Sequence, residues 1–253
     1  MIGLPLATDS WDERERAAIA RVVESNRFTY GPEVAAFEAE FAAQFGVRHA
    51  VFVNSGSSAN LLAVAALVYA PDVDFGPGDE VIAPAVSWST TYFPFQQHGI
   101  ALRFVDVDPD TLNLDLEAVE AALTPRTKAV CAVNLLGNPC ELGRLSRFCD
   151  ARGLVLIEDN CESMGAEIDG RFAGAFGRVA TFSTFFSHHI STMEGGVVVT
   201  DDPDLRNILL SLRSHGWVRE QPPGSRLAVD ADAFRRSFRF VLPGYNLRPI
   251  EMA

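Results

Sequence analysis

Apolar and polar positions recur along this chain with two periods, one helical and one of strands. Between Ser10 and Glu24, Ala17, Ile19, Ala20, Val22 and Val23 give an apolar side behind an acidic first turn. That pattern predicts a helix with Ser10 as its N-cap. Arg27 to Pro32 reads as a turn, and Val34, Phe37, Phe41 and Phe45 at helical spacing predict a second amphipathic helix over Glu33–Phe45. Thereafter short apolar runs alternate with longer helical patterns. Strands are predicted at Val51–Val53, Glu80–Ala83, Leu102–Val107, Ala129–Leu135 and Leu154–Glu158. Helices are predicted at Ser58–Tyr69, Ser89–Gln97, Leu116–Leu123, Leu142–Arg152 and Pro203–Leu212. The alternation specifies an α/β fold, a mainly parallel sheet with helices on both faces. Binding residues on such sheets lie just beyond the carboxyl ends of the strands. The Pro-, Gly- and charge-rich stretch Gln221–Asp232 reads as a mobile surface loop.

The densest polar turn lies between Thr181 and Gly196, ahead of the apolar run Val197–Val199. It predicts a buried strand, a turn carrying His188 and His189, the pair Gly195 and Gly196, and a return strand. Ser183, Ser187, Ser191, Thr192 and Glu194 crowd the two imidazoles. Such a cluster inside apolar sequence suits an active site better than a core, although turn histidines also serve as solvated structural residues. The glycine pair is expected to give the backbone freedom beside the histidines.

Three further stretches follow predicted strands, and each has two readings. Gly56, Ser57 and Ser58 stand where a strand enters a helix; free N–H groups and hydroxyls there bind phosphate, or the serines merely cap the helix. Gly56 would let the backbone turn tightly. This is neither the Gly-x-Gly-x-x-Gly fingerprint nor a Walker loop. Trp88, flanked by hydroxyl residues, either covers a flat cofactor or packs in the core. Asp159, three residues before Glu162, could hold a protonated ring nitrogen or a metal, or cap a turn. His215 and Arg219 form a candidate anion-binding pair after the last long helix.

Composition narrows the partners. The 253 residues suit one large domain or two small ones. A net charge of −12 argues against nucleic acid and anionic membrane as partners but leaves room for an anionic small molecule met by local arginines. The longest apolar stretch, Leu61–Ala70, is far short of the roughly 20 residues that span a bilayer. No signal peptide is evident at Met1–Glu15, and the four cysteines lack close metal-ligand spacing, so a cytoplasmic chain with reduced thiols is expected.

Taken in order, the Gly-Ser-Ser turn at Gly56, Trp88, Asp159 with Glu162, the turn from Phe182 to Gly196 and Gly244-Tyr245-Asn246 resemble the DegT/DnrJ/EryC1/StrS family of sugar aminotransferases. The resemblance runs along essentially the whole chain. It implies the large domain of a fold-type-I enzyme that uses pyridoxal 5'-phosphate, with the N-terminal helical segment attached over residues 1–253. The family's further C-terminal domain, of about 100 residues, is not in this sequence. It also implies cofactor contacts from Gly56, Ser57, Trp88, Asp159, Glu162, Ser183 and Asn246. His215 and Arg219 would lie near glutamate, and Asn26, Arg27, Phe28, Thr29 and Asn246 near a nucleotide sugar. The segment of Asn246 would cross into the active site of a second copy in a homodimer.

One departure changes the expected chemistry. The family's Schiff-base lysine falls at position 188, which is His188 here, and the sole lysine is the distant Lys128. Imidazole cannot tether the cofactor, but it is a good base near neutral pH. A subgroup with this substitution removes the C3 hydroxyl of nucleotide-linked 4-keto-6-deoxyhexoses. The stretches Pro84–Tyr92, Val133–Pro139, Asp159–Ala166 and Ser187–Gly196 are most similar to its GDP-mannose-derived branch, which serves colitose and O-antigen synthesis. The implied chemistry is glutamate-driven formation of pyridoxamine 5'-phosphate, then loss of water with His188 as base. No cysteine follows Cys161, which disfavours the CDP-linked branch with its iron–sulfur cluster. Two other readings stand beside this one: a non-catalytic cofactor- or sugar-binding relative, and a metal hydrolase using His188, His189 and Glu194.

Overall fold

The computed structural model describes residue 3 and residues 9–227 and 232–253. The strands in chain order are β1 (His49–Val53), β2 (Glu80–Pro84), β3 (Ala101–Val105), β4 (Thr127–Val133), β5 (Val155–Asp159), β6 (Glu167–Ile168), β7 (Arg171–Phe172), β8 (Val179–Ser183) and β9 (Gly196–Thr200). Seven of them form one sheet in the order β1-β9-β8-β5-β4-β2-β3, and β6 and β7 pair separately. Within the seven-stranded sheet β9 runs against the other six, pairing antiparallel with both β1 and β8, and β6 and β7 are also antiparallel to each other. The helices are α1 (Glu13–Ser25), α2 (Pro32–Phe45), α3 (Gly56–Tyr69), α4 (Ser89–Gln97), α5 (Leu116–Ala121), α6 (Leu142–Arg152), α7 (Pro203–Arg213) and α8 (Ala233–Ser237).

Strand alternation sorts the side chains to two faces. Val179 and Ile157 face α3 and α7, in one apolar cluster with Leu62, Leu67, Leu209 and Leu212. Leu156 and Val130 face the opposite side, against Leu142, Leu145 and Phe148 of α6. On that side Phe182 also meets Phe41 and Phe45 of α2, with ring centroids 5.2 and 5.0 Å away. Helix α3 is apolar nearly all round because α4, α7 and β8 enclose it. Full burial of a leucine such as Leu62 or Leu67 contributes about 1.5–3 kcal/mol.

Several expected boundaries shift for identifiable reasons. Helix α1 is capped by Asp12, not Ser10, because Asp12 and Glu15 form a reciprocal capping box. Helix α3 starts at Gly56, two residues before the expected Ser58, because the Ser55 hydroxyl accepts from the Ser58 N–H at 3.0 Å. Strand β4 ends at Val133, because Leu135–Gly137 form a 3-10 turn. Strand β3 ends at Val105, where the chain turns so that Val107 bridges Leu114. The expected surface loop Gln221–Asp232 is anchored at its start. Gln221 and Ser225 are buried, with Gln221 donating to the Asn207 carbonyl at 2.9 Å and accepting from Ser225 at 2.8 Å. Residues 228–231 of that loop lie outside the described residues.

Candidate active site

A cleft of about 440 Å³ opens at the carboxyl ends of the parallel strands. Strand register assembles it. Val133, Asp159 and Thr181 are aligned partners across β4, β5 and β8, and Val53, Gly196 and Ser183 across β1, β9 and β8. Each strand end therefore delivers its next residues to one rim. Gly56, Ser57, Trp88, Asp159, Ser183 and His188 all line the cleft, as do Glu162 and Glu194.

Asp159 is the best-supported side chain. It is 5% exposed. Its Oδ2 accepts from Asn60 Nδ2 at 3.0 Å and from Thr91 Oγ1 at 2.8 Å, and its Oδ1 accepts from the Cys161 N–H at 3.1 Å. Three donors surround the carboxylate, an arrangement that suits an anion. Beside it, Glu158 points to the other face and accepts from the N–H groups of Gly174, Phe176 and Gly177. Burial pushes the Glu158 carboxyl above the usual range, partly offset by those three N–H groups.

The phosphate-type turn has a different construction from the expected one. Among the described residues the N–H groups of Gly56 and Ser57 have no protein acceptor, while the Ser58 N–H is satisfied by Ser55. Ser57 is exposed and donates to Thr90 Oγ1 at 2.9 Å. Gly56 does not have a positive φ. It is glycine because a Cβ there would lie 2.6 Å from Ser183 Cβ. The same correction holds for the glycine pair: neither Gly195 nor Gly196 has a positive φ. A Cβ on Gly195 would meet Thr184 Oγ1 at 2.3 Å, and one on Gly196 the Ser55 carbonyl oxygen at 2.3 Å. The glycines permit close approach rather than an unusual backbone.

His188 sits on a cross-tied turn, as expected. Its N–H donates to the Phe185 carbonyl at 2.8 Å, and Thr192 closes the loop by donating through N–H and hydroxyl to the Thr184 carbonyl at 2.9 and 2.8 Å. Ser191 Oγ donates to the Phe186 carbonyl at 2.8 Å, and Trp11 Nε1, just before α1, donates to the Ser191 carbonyl at 2.8 Å. His188 is half-buried, whereas His189 is exposed and does not line the cleft. Burial holds the His188 imidazole below its ordinary pKa of 6.5; His189 adds to the shift, and Glu162 and Asp159 oppose it. The neutral imidazole, competent to accept a proton, is thereby favoured. Glu162 in turn accepts from the Leu136 N–H at 2.9 Å.

Trp88 stands at the N-cap position of α4, beyond β2, and is 72% exposed, so it is not a core residue. Lys128 lies on β4, where it donates to Asp74 Oδ2 at 2.5 Å, away from the cleft. Other predicted residues are not brought into the cleft of this chain. Asn26, Arg27, Phe28 and Thr29 are exposed after α1, with Thr29 bridging Ile250. Arg219 lies 4.2 Å over the Trp217 ring and 3.6 Å from Glu220, and the His215 ring is 6.3 Å from the same tryptophan. Asn246 bridges Ser214 through its backbone and accepts from Arg248 Nε at 3.0 Å.

The structure also brings in Asn60, Thr91, Thr181 and Trp11, which pattern reading did not single out. Asn60 had a signal: it is a lone polar residue entering the apolar run of α3, and a buried amide needs partners. Thr181 had the same signal within the buried strand β8.

Residues 9–252 match the DegT/DnrJ/EryC1/StrS aminotransferase family, and the chain belongs to it. Within that family it is 52% identical over its full length to a GDP-4-keto-6-deoxy-D-mannose 3-dehydratase of Yersinia pseudotuberculosis, of which it spans 65%. It is similar, with a TM-score of 0.95 and 50% identity, to the E. coli GDP-4-keto-6-deoxy-D-mannose-3-dehydratase with bound hydrated pyridoxal phosphate, covering all of this chain and 65% of that one. A GDP-4-keto-6-deoxymannose-3-dehydratase with a trapped pyridoxal phosphate–glutamate geminal diamine gives the same TM-score and identity, over 99% of this chain and 65% of that one. Among the described residues no helix is long and apolar enough to cross a membrane, and no group of three His, Cys, Asp or Glu side chains could hold a metal ion. The hydrolase reading, which needs His188, His189 and Glu194 together, has no such centre.

Proposed function

We propose that this chain is the cofactor-binding large domain, residues 1–253, of a 3-dehydratase acting on a nucleotide-linked 4-keto-6-deoxyhexose, GDP-4-keto-6-deoxymannose first among them. The observation that carries the proposal is His188 in the cleft where the family has its lysine, with the sole lysine paired to Asp74 elsewhere. The relatives that are about half identical to it carry that activity by name.

The donor set fits pyridoxal or pyridoxamine 5'-phosphate. A buried carboxylate suits a protonated ring nitrogen, free N–H groups at the start of a long helix suit a phosphate, and an exposed indole beside the cleft suits a flat ring. When bound, the aminated cofactor supplies an amine for the sugar ketone and a ring that draws electrons from the reacting carbon. The chain's own residues do the rest. Asp159 holds the proton on the ring nitrogen. Gly56 and Ser57 hold phosphate, with Ser183 and Glu162 at the cleft wall. Neutral His188 takes the proton from the carbon next to the ring and returns it to the departing C3 hydroxyl. Glutamate renews the amine, with His215 and Arg219 toward its carboxylates. Asn26–Thr29 and Asn246 serve the nucleotide sugar, Asn246 in the site of a second copy of a homodimer. Cytoplasmic location and a role in colitose and O-antigen synthesis belong to the same proposal.

The test is incubation with pyridoxamine phosphate and a panel of 4-keto-6-deoxy nucleotide sugars. Water loss from the GDP-linked sugar is expected. Loss from a CDP-linked sugar alone would assign the other branch, and cofactor binding without water loss from any sugar would make the chain a non-catalytic binding relative.

A further inference from the structure

Asp159 does not stand alone: it ends a chain of hydrogen bonds that begins at the buried Thr181 hydroxyl. Thr181 Oγ1 donates to Asn60 Oδ1 at 2.6 Å, and Asn60 Nδ2 donates to Asp159 Oδ2 at 3.0 Å. Asn60 and Thr181 are 9% and 1% exposed. An amide can be turned end for end, so its orientation follows from its partners. Turned over, Asn60 would set its Oδ1 against Asp159 Oδ2, two acceptors at hydrogen-bonding distance with no proton between them. Thr181 would also have to redirect its hydroxyl to the Glu158 carbonyl at 3.4 Å, the poorer acceptor by distance. Both ends therefore select one orientation.

That orientation treats the two carboxylate oxygens differently. Oδ2 receives Asn60 and Thr91, whose own hydroxyl lies 2.9 Å from Ser87 Oγ. Among the described residues Oδ1 receives the Cys161 N–H, and the Cys161 thiol, a weak donor, also faces this carboxylate. One carboxylate oxygen accepts about two hydrogen bonds comfortably, so Oδ2 is filled and Oδ1 keeps capacity on a side chain that lines the cleft. We propose that Asn60, held by Thr181, is a positioning residue that commits Asp159 Oδ1 to the ring nitrogen of the cofactor and keeps the shared proton on that nitrogen. This inference rests on the proposed cofactor reading. Removing the Asn60 donor leaves the Asp159 carboxylate a stronger competitor for the shared proton.

The test is the ring-nitrogen resonance of 15N-labelled pyridoxal phosphate bound to the whole chain. In the native protein it should fall in the pyridinium range. Asn60→Ala and the isosteric Thr181→Val should move it toward neutral pyridine, and Thr181→Ser, which restores the hydroxyl, should return it. An unchanged resonance in folded Asn60→Ala and Thr181→Val overturns the positioning role. A native protein that does not bind the labelled cofactor overturns the cofactor reading itself, a separate outcome.

Discussion

Gly196 stands directly against the Ser55 carbonyl: a Cβ built on the glycine would lie 2.3 Å from that oxygen and 2.7 Å from the Gly56 nitrogen. The start of β9 and the turn into α3 thus touch through backbone alone. Neither partner is a flexible side chain that could swing aside. Gly196→Ala should destabilise the fold by about 1–3 kcal/mol or more, as overpacking does. It should also open the turn that carries Gly56 and Ser57. Denaturant unfolding gives the first quantity and phosphate-dependent cofactor affinity the second; native values for both would contradict this packing.

A second dependence lies behind the site. Arg213 is fully buried, donating from Nη1 to Glu38 Oε1 and to the Phe52 carbonyl, both at 2.6 Å, with its guanidinium 4.3 Å from the Tyr30 ring centroid. Removing Glu38 leaves that charge buried without its counter-ion. Glu38→Ala should cost about 3–5 kcal/mol, measured by chemical unfolding. A loss under 1 kcal/mol would mean that the ion pair is not holding the guanidinium in place.

What was legible in the sequence follows from how local each signal is. The periodicity over Leu142–Arg152 and Ser89–Gln97 matches helices α6 and α4 residue for residue, because each buries one face. The histidine turn stood out because apolar strands bracket it. The Asp159 network could not be read, since residues 60, 91, 159 and 181 meet only through strand register and helix packing. The role of the glycine pair was misjudged for the same reason: freedom of φ is a local property, while contact with Ser55 is set by tertiary structure. The tie of Gln221 to Asn207 of α7, and of Ser225 to Gln221, was likewise invisible in a stretch rich in proline and charge.

The absence of a lysine from the cleft makes a chemical prediction. Pyridoxal phosphate should bind without a covalent link, so borohydride reduction of the complex should leave no pyridoxyl group on any active-site peptide. Lys128 is engaged by Asp74 on β4. A pyridoxyl adduct mapped to Lys128 by peptide mass analysis would place the site elsewhere.

The electrostatics of His188 fix the sign of a pH effect. Its folded pKa is below 6.5, with burial the largest cause, so at a given pH it binds fewer protons than an ordinary histidine. The acid limb of kcat/KM should therefore have its midpoint below 6.5 and fall as pH decreases. The same depression means that the folded state takes up a proton less readily than the unfolded one. Stability from this group is present above the unfolded value and is lost as pH drops through the folded one. His188→Asn should remove that part of the acid sensitivity. An acid limb centred above 6.5, or unfolding with unchanged pH dependence in His188→Asn, would contradict the assignment.

The central claim is that His188, not its neighbour, is the base. His188 lines the cleft and His189 is exposed outside it. The decisive measurement is dehydration of GDP-4-keto-6-deoxymannose, with pyridoxamine phosphate supplied, by His188→Asn and His189→Asn side by side. Loss of a general base lowers the rate by about 100- to 10,000-fold. That loss is predicted in His188→Asn, with His189→Asn near the native rate. Native turnover in His188→Asn, with the loss in His189→Asn instead, would contradict the account.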